Sequence, residues 1–406
     1  MPGDILKSYI LNEGNTGSAD ERLKKLLSIM RRHLGMDVAF ISEFVNEQRV
    51  FKLVDTAEAE GSIKAGDADP LSETYCEKIA DSELDEVIRD TARHPVTRDL
   101  EVTRKLSIGS YMGVPIKLSD GEVFGTFCCY KAAPDETLNE RDHSFLSAIA
   151  EIITQVIESD IVSQNTQREV NARIHSVLAE DSINIHYQPI YSLEADKVVG
   201  YESLSRFSSE PYRTPDIWFA EAASVGLGED LEMMAIRKAV TGLNHFDPST
   251  YISINASPEY VLNGAIHDAL AGIDVTRIVL EITEHSPVNS YPDLVSALEP
   301  LRKRGMRLAI DDAGAGYASF QHVLELDADI IKLDRSLTRE VDVQMNKHSL
   351  ARALCAFATS VQCEIIAEGV ETQSELKVLK ELGVGKVQGY LIGRPAPIGD
   401  AVTGQA

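Results

Sequence analysis

Beyond residue 180 the chain settles into short apolar runs alternating with helix-like segments, and no other feature of its 406 residues restricts the fold as tightly. The runs lie at 183–193, 198–207, 251–257, 278–284, 307–312, 330–335, 364–370 and 387–393. They have the length and the Ile, Val, Leu and Tyr content of strands. Eight strands in about 220 residues, most of them separated by helical lengths, predict a (β/α)8 barrel. The first link, EADK, is too short for a crossover helix, so the first strand is expected to run antiparallel to the second.

The first 160 residues read instead as an α+β unit. Residues 18–35 open with Ser18 and Glu21 spaced as a capping box, place Leu23, Leu26, Leu27 and Met30 on one helical face, and stop at Gly35. Two β-rich runs, 38–45 and 49–56, predict one hairpin, and 110–118 with 122–131 around the turn SDG predict another. Residues 70–81 read as a helix with Pro70 near its start. A second capping-box pair, Thr137 and Glu140, opens a long helical pattern that runs to about Leu178. Its apolar stripe fades at 163–169 and resumes at Val170, Ile174 and Val177. The spacing predicts a unit at 1–160 with a tail at 1–17, a helical linker at 161–180 and a second unit at 181–406. The stripe suits packing on its own unit or zipping against a second copy, and the second option gives a homodimer.

Thirty-nine Lys and Arg against 64 Asp and Glu leave a net charge of −25, a field that repels long nucleic acids. A phosphate-bearing ligand then needs a metal ion or a local cation. The five cysteines, Cys76, Cys128, Cys129, Cys355 and Cys363, form no CxxC pair, and an odd count makes a poor disulfide framework, so reduced thiols are expected. The N-terminal residues have no signal-peptide pattern and no run approaches a membrane span, so a cytoplasmic location is expected.

Polar residues recur at the ends of the barrel strands: Glu202, Asn255, Glu281, Asp311 with Asp312, Lys332 with Asp334, Glu368 and Gln388. The carboxyl ends of parallel barrel strands open on one face, so these residues should converge. Crowded carboxylates do not all stay ionised without a cation among them, and hard divalent ions with oxygen ligands, Mg²⁺ or Mn²⁺, meet that need better than zinc. Each residue also has a plainer reading. A lone strand-end Glu is usually salt-bridged, Asp311 and Asp312 before Gly314 suit a turn, Lys332 suits neutralising one acid, and Asn255 suits an Asx-turn or a helix cap. One metal site explains the coincidence across seven strands together.

The runs YQPIYSL, YESLSRF, ISINASPEYV, LEITEH, IDDAGAGYASF, IKLDRSL, IIAEGVET and VQGYLIGRP stand in an order that resembles the EAL-domain cyclic-di-GMP phosphodiesterases over about 183–398, a TIM-like barrel family. Glu202, Ser203 and Leu204 occupy the signature tripeptide, with Ser where the name has Ala. The resemblance implies that Glu202, Asn255, Glu281 and Asp311 hold one ion and that Asp311 and Asp312 help hold a second, two Mg²⁺ or Mn²⁺ per site. It gives Glu368 and Lys332 the positioning or deprotonation of the attacking water, with Asp334 in support. Gln188, Arg206 and Gln388 would contact the dinucleotide, and Glu284 would brace the loop after Asp312. Two metal ions sharing a water suit an in-line phosphodiester displacement, and a guanidinium suits phosphate. The implied reaction converts cyclic-di-GMP to linear 5′-phosphoguanylyl-guanosine. The loop reads DDAGAGYASF where the family reads close to DDFGTGYSSL, with Ala313, Ala315, Ala318 and Phe320 as departures. Since that loop couples the second metal to the dimer interface in the family, a receptor that binds the dinucleotide without cutting it stays open as the alternative. A barrel lyase using Lys332 for proton abstraction leaves Arg206 and Gln188 unexplained.

Residues from about 20 to 160 resemble a GAF domain, through SYMGVPIKLSDGEVFGTFCCY and the preceding RDTARHPVT. Its ligand stays unknown, because the same shape serves many ligands or none. Cys76 reads as an inert thiol ahead of a chromophore attachment, His94 beside Pro95 as a loop residue, and the neighbours Cys128 and Cys129 should face opposite sides of their strand.

Overall fold

The computed structural model describes residues 18–57, 63–283, 288–313 and 318–403, and its contacts divide the chain into two compact units between Thr166 and Gln167. In the first unit Ser18 caps α1 (Ala19–His33): its side chain accepts from the Glu21 N–H, and the Glu21 carboxylate accepts from the Ser18 N–H. Next come β1 (Val38–Val45), β2 (Gln48–Thr56), β3 (Ala68–Pro70), α2 (Tyr75–Ala80), β4 (Val87–Ile88), α3 (Glu101–Lys105), β5 (Ser110–Lys117) and β6 (Val123–Lys131). The six strands form one antiparallel sheet in the order β3-β2-β1-β6-β5-β4.

Because strand side chains alternate faces, β1, β5 and β6 each feed two cores, and a bulge opposite Ile41 and Ser42 lets β2 do the same. Ala39, Ile41, Leu53, Phe127 and Cys129 pack with the apolar stripe of α1, whereas Phe40, Phe51, Tyr111 and Cys128 pack with Tyr75, Cys76 and Ile79 of α2. Cys128 and Cys129 thus lie on opposite faces. The helix expected at 70–81 is shorter. Pro70 pairs with Gln48 in the sheet, a 3-10 turn covers Leu71–Glu73, and Thr74 caps α2 by accepting from the Glu77 N–H.

The long helix, α4 (Glu140–Ala179), spans 40 residues. Its expected cap is corrected. Thr137 bonds Asp135, while the Asn139 side chain accepts from the Arg141 N–H and the Asp142 carboxylate accepts from the Asn139 N–H. Leu146, Ile149, Ile153 and Val156 join the core of the first unit. Val170, Ile174 and Val177 join Trp218 and Leu231 in the second. Residues 163–169 between them are helical and exposed.

The second unit comprises β7 (Ile183–Ser192), β8 (Lys197–Phe207), α5 (Pro215–Ser224), α6 (Gly228–Val240), β9 (Tyr251–Asn255), α7 (Pro258–Leu262), α8 (Ala265–Ala269), β10 (Ile278–Thr283), α9 (Tyr291–Lys303), β11 (Arg307–Ala313), α10 (Ala318–Leu326), β12 (Ile330–Leu333), α11 (Arg335–Thr338), α12 (Met345–Ser360), β13 (Glu364–Ala367), α13 (Gln373–Glu381), β14 (Lys386–Val387), β15 (Ala396–Pro397) and α14 (Ile398–Thr403). Strands β8 to β14 run parallel in sequence order. β7 runs antiparallel to both β8 and β14 and closes the barrel. The antiparallel first strand follows from the four-residue link.

The barrel interior is built in layers, because inward positions recur every second residue. Ile190, Tyr251, Val279, Ala309, Ile330 and Ile366 form one apolar layer. Two residues on in the parallel strands lie Ser253, Glu281, Asp311, Lys332 and Glu368, and two back in the antiparallel β7 lies Gln188. The apolar floor thus fixes the height of the polar residues above it. The last strand is shorter than the expected 387–393, since the ladder gives way to a turn at Gly389, whose carbonyl accepts from the Ile392 and Gly393 N–H groups. The Gln388 N–H donates to Ala367 O, the Val370 N–H to Gln388 O and the Leu391 N–H to Val370 O. Gly389 permits this, because a Cβ there would lie 2.2 Å from the Val370 backbone N and O.

Candidate active site at the barrel mouth

Lys332 is fully buried, and its ammonium is the hub of the site. Nζ lies 2.7 Å from Glu281 Oε2, 2.7 Å from Glu368 Oε1, 3.0 Å from Asp311 Oδ1 and 3.5 Å from Glu202 Oε1. Adjacent parallel strands bring these groups together: Thr283 pairs with Asp311, Ile331 with Ile365, and Glu281 with Asn255. The plainer alternative for Lys332 has it neutralising one acid, whereas the structure surrounds it with four.

That imbalance sets the protonation energetics. Burial, opposed by Lys332 and reinforced by Glu202 and Asp311, pushes the Glu281 carboxyl up to about 8. Burial also drives Glu368 well above the usual carboxylate range, against the pull of Lys332. Burial alone would lower the Lys332 pKa, but the surrounding acids outweigh it and hold the ammonium charged.

Gln388, Gln188 and Asp312 join this cluster by hydrogen bonds. The Gln388 side-chain amide donates to Gln188 Oε1 at 3.0 Å and to Glu202 Oε2, and the Gln188 amide donates to Gly393 O at 3.1 Å. Asp312 has a left-handed backbone, φ +58°, and its N–H donates to Asp311 Oδ1 at 3.0 Å. The Asp334 side chain caps α11, accepting from the Ser336 N–H at 2.8 Å. Arg206 and Asn255 line a cavity of about 380 Å³ together with Glu232, Ser257, Phe219 and Thr283. Asn255 is not the cap of the following helix; Ser257 holds that position. Glu284 lies outside the described residues.

Two overlapping carboxylate groups have the dimensions of ion sites. Glu202, Glu281 and Asp311 each offer an oxygen within 4.8 Å of the others, and so do Asp311, Asp312 and Glu368. Glu281 Oε1 is buried without a hydrogen-bond partner among the described residues. A buried, unbonded carboxylate oxygen is costly, and a hard divalent cation is the partner that oxygen donors of this kind suit. The residues present therefore fit such an ion.

Sequence reasoning missed Glu232, Ser257, Tyr251 and Ser253. The Tyr251 hydroxyl and Ser253 Oγ are buried without partners among the described residues and lie on β9, inside the barrel. A period-two count back from Asn255 would have placed both inward.

Comparison with known proteins identifies a family for each unit. The family model for the EAL domain matches residues 170–395, and that for the GAF domain matches 16–158. A cyclic di-GMP phosphodiesterase of Pseudomonas aeruginosa, NbdA, is 28% identical over 250 residues, which is 59% of this chain and 32% of NbdA. A probable cyclic di-GMP phosphodiesterase of Escherichia coli, PdeB, is 28% identical over 239 residues, 55% of this chain and 45% of PdeB. An uncharacterized signaling protein of Caulobacter vibrioides is 29% identical over 309 residues, 74% of this chain and 37% of its own length. The chain thus spans between about a third and about half of the length of these curated relatives. Among solved structures, the PaMucR phosphodiesterase in a c-di-GMP complex superposes with a TM-score of 0.52 at 25% identity, covering 57% of this chain and 99% of that one. The EAL enzyme Bd1971 reaches a TM-score of 0.56 at 16% identity over 91% of this chain and 93% of its own, a likeness of fold. No helix among the described residues is long and apolar enough to cross a membrane.

Proposed function

Because this chain belongs to the EAL-domain family and carries a GAF domain ahead of its EAL domain, we propose that it hydrolyses cyclic-di-GMP to linear 5′-phosphoguanylyl-guanosine with two Mg²⁺ or Mn²⁺ ions. The observation that carries this reading is the single ammonium of Lys332 among four carboxylates, one of which keeps a buried oxygen unbonded. In this reading Glu202, Asn255, Glu281 and Asp311 hold one ion, and Asp311 with Asp312 hold the second. Bound there, the ions would lower the pKa of water and offset charge on the phosphodiester.

The chain's own residues supply the rest. Glu368, whose proton affinity burial has raised, is suited to take a proton from the attacking water, and Lys332 holds its Oε1 in place at 2.7 Å. Arg206 offers a planar fork to a phosphate at the edge of the cavity. Gln188 and Gln388, already bonded to each other, present amides to the dinucleotide beside Glu202. Asp334 supports the end of β12 by capping α11.

We assign residues 1–160 to a GAF sensory unit, 161–180 to a helical linker and 181–406 to the hydrolase, acting in the cytoplasm as a homodimer under a GAF signal still to be identified. Cyclic-di-GMP is the partner; long nucleic acids are not, given the net charge of −25.

The test is product analysis. Incubating the purified full chain with cyclic-di-GMP and Mn²⁺ or Mg²⁺ should yield the linear dinucleotide, and EDTA should stop it. Glu202→Gln should reduce turnover at least about 100-fold, a barrier change of roughly 3 kcal/mol. Tight binding of cyclic-di-GMP with no product would replace the hydrolase by the receptor reading.

A further inference from the structure

Ser257 sits at the N-cap of α7 with extended backbone, φ −80° and ψ 133°, where a serine side chain ordinarily accepts from the helix's own N–H groups. Here it makes no such bond. Its hydroxyl donates to Glu232 Oε2 at 2.6 Å and its N–H donates to Glu232 Oε1 at 2.7 Å. Both carboxylate oxygens of Glu232, on α6, therefore serve one residue of the loop after β9. Two positions earlier stands Asn255, and between them the Ala256 N–H donates to Glu281 O at 2.9 Å. The segment is pinned on one side to the backbone of Glu281 and on the other to the side chain of Glu232. The Asn255 carboxamide between these pins lines the cavity and has no hydrogen-bond partner among the described residues.

A short amide aimed at an ion is only as well oriented as the backbone that carries it. We infer that Glu232 is a positioning residue of the metal site: by clamping Ser257 it fixes the direction in which Asn255 presents its oxygen toward the ion shared with Glu202, Glu281 and Asp311. This inference rests on the metal reading proposed above. Glu232 also lines the cavity, so direct contact with substrate is the competing role. Its two oxygens, each already accepting a short bond, argue for the clamp.

The experiment uses the full chain as wild type, Glu232→Gln, Ser257→Ala and the double variant. Mn²⁺ binding is read from the electron paramagnetic resonance signal of free Mn²⁺, and KM for cyclic-di-GMP is measured at saturating Mn²⁺. Each single variant should weaken Mn²⁺ binding about 10-fold. The double variant should be no weaker than the weaker single one, because both substitutions break the same link. KM should not move. Unchanged Mn²⁺ affinity in both single variants overturns the inference, as does a raised KM with unchanged Mn²⁺ affinity, which makes Glu232 a substrate contact. Wild-type chain that binds no Mn²⁺ overturns the metal reading with it, whereas wild type that binds beside indistinguishable variants overturns the clamp alone. If Glu232→Gln fails to fold, as read by circular dichroism, Ser257→Ala decides by itself, since it removes one hydroxyl and leaves the carboxylate.

Discussion

Arg49 in the N-terminal sheet and Lys332 in the barrel are both buried cations, yet their surroundings are built to opposite balances. Arg49 is 2% exposed, pairs with Asp69, and lies with its guanidinium carbon 4.0 Å from the centre of the Phe51 ring. Asp69 also holds Lys105 at 2.7 Å, so one acid serves two cations. Although burial works against it, those cations keep the Asp69 carboxyl below its usual range. Lys332 has the reverse arrangement, one cation for four acids, and there burial and mutual repulsion push carboxyls up. Arg49 has no acid to spare, so nothing at its site calls for a further cation, and it acts as a structural element. A buried charge with a surplus of opposite charge around it marks a place where further cations belong.

The contrast is broken most severely by Lys332→Met. It strips the four acids of their shared counter-charge, and turnover should fall by about 1,000-fold or more. In EDTA the variant should lose roughly 3–5 kcal/mol in urea unfolding, and Mn²⁺ should restore part of that loss. Arg49→Met leaves Asp69 with Lys105 as its partner and should cost about 3 kcal/mol or less. Mn²⁺ should restore nothing there, and restoration by Mn²⁺ would erase the distinction between the two sites.

Two pH experiments sharpen the comparison with smaller effects. Glu281 is raised in the folded barrel to about 8 from an ordinary 4.5. Its contribution is fully present below the ordinary value and is lost as pH rises through about 8. The metal-free chain should therefore lose thermal stability across that window, and Glu281→Gln should flatten the loss. Asp135, in the N-terminal unit, shows the opposite sign. Lys131, at 2.5 Å, and Thr137 hold it down to about 2 from 3.8. Its contribution is present above 3.8 and is lost as pH falls toward about 2, so Asp135→Asn should make acid unfolding slightly less steep there. An unchanged acid limb in that variant would mean the pair contributes nothing measurable.

Much of the fold was legible because its signals are local. The Ser18 and Glu21 box, the two hairpins and the eight barrel strands all rest on spacings shorter than a dozen residues. Where local signals competed, the reading slipped. Thr137 and Glu140 matched a capping box, but Asp135 takes Thr137 and leaves the cap to Asn139. VQGYLIG matched a strand, but a turn at Gly389 ends it, the Gly389 carbonyl accepting from the Ile392 and Gly393 N–H groups. The site residues were readable as a set, since inward polar positions two residues above Val279, Ala309, Ile330 and Ile366 follow from the strand period. Glu232 was not, because nothing near it in sequence distinguishes an acid on α6 from any other helical acid.

The alternation of side chains along each strand, and with it the choice of residues turned into the barrel, is a local property that the amino-acid order determined by itself. Which of those residues share a charge was decided only when the barrel closed. Lys332 meets Glu202 and Glu281 across 130 and 51 positions of sequence, and electrostatic energy depends on separation in space rather than along the chain. Burial decided the rest, since removing water from Glu281 and Glu368 raised the proton affinity of both carboxyls.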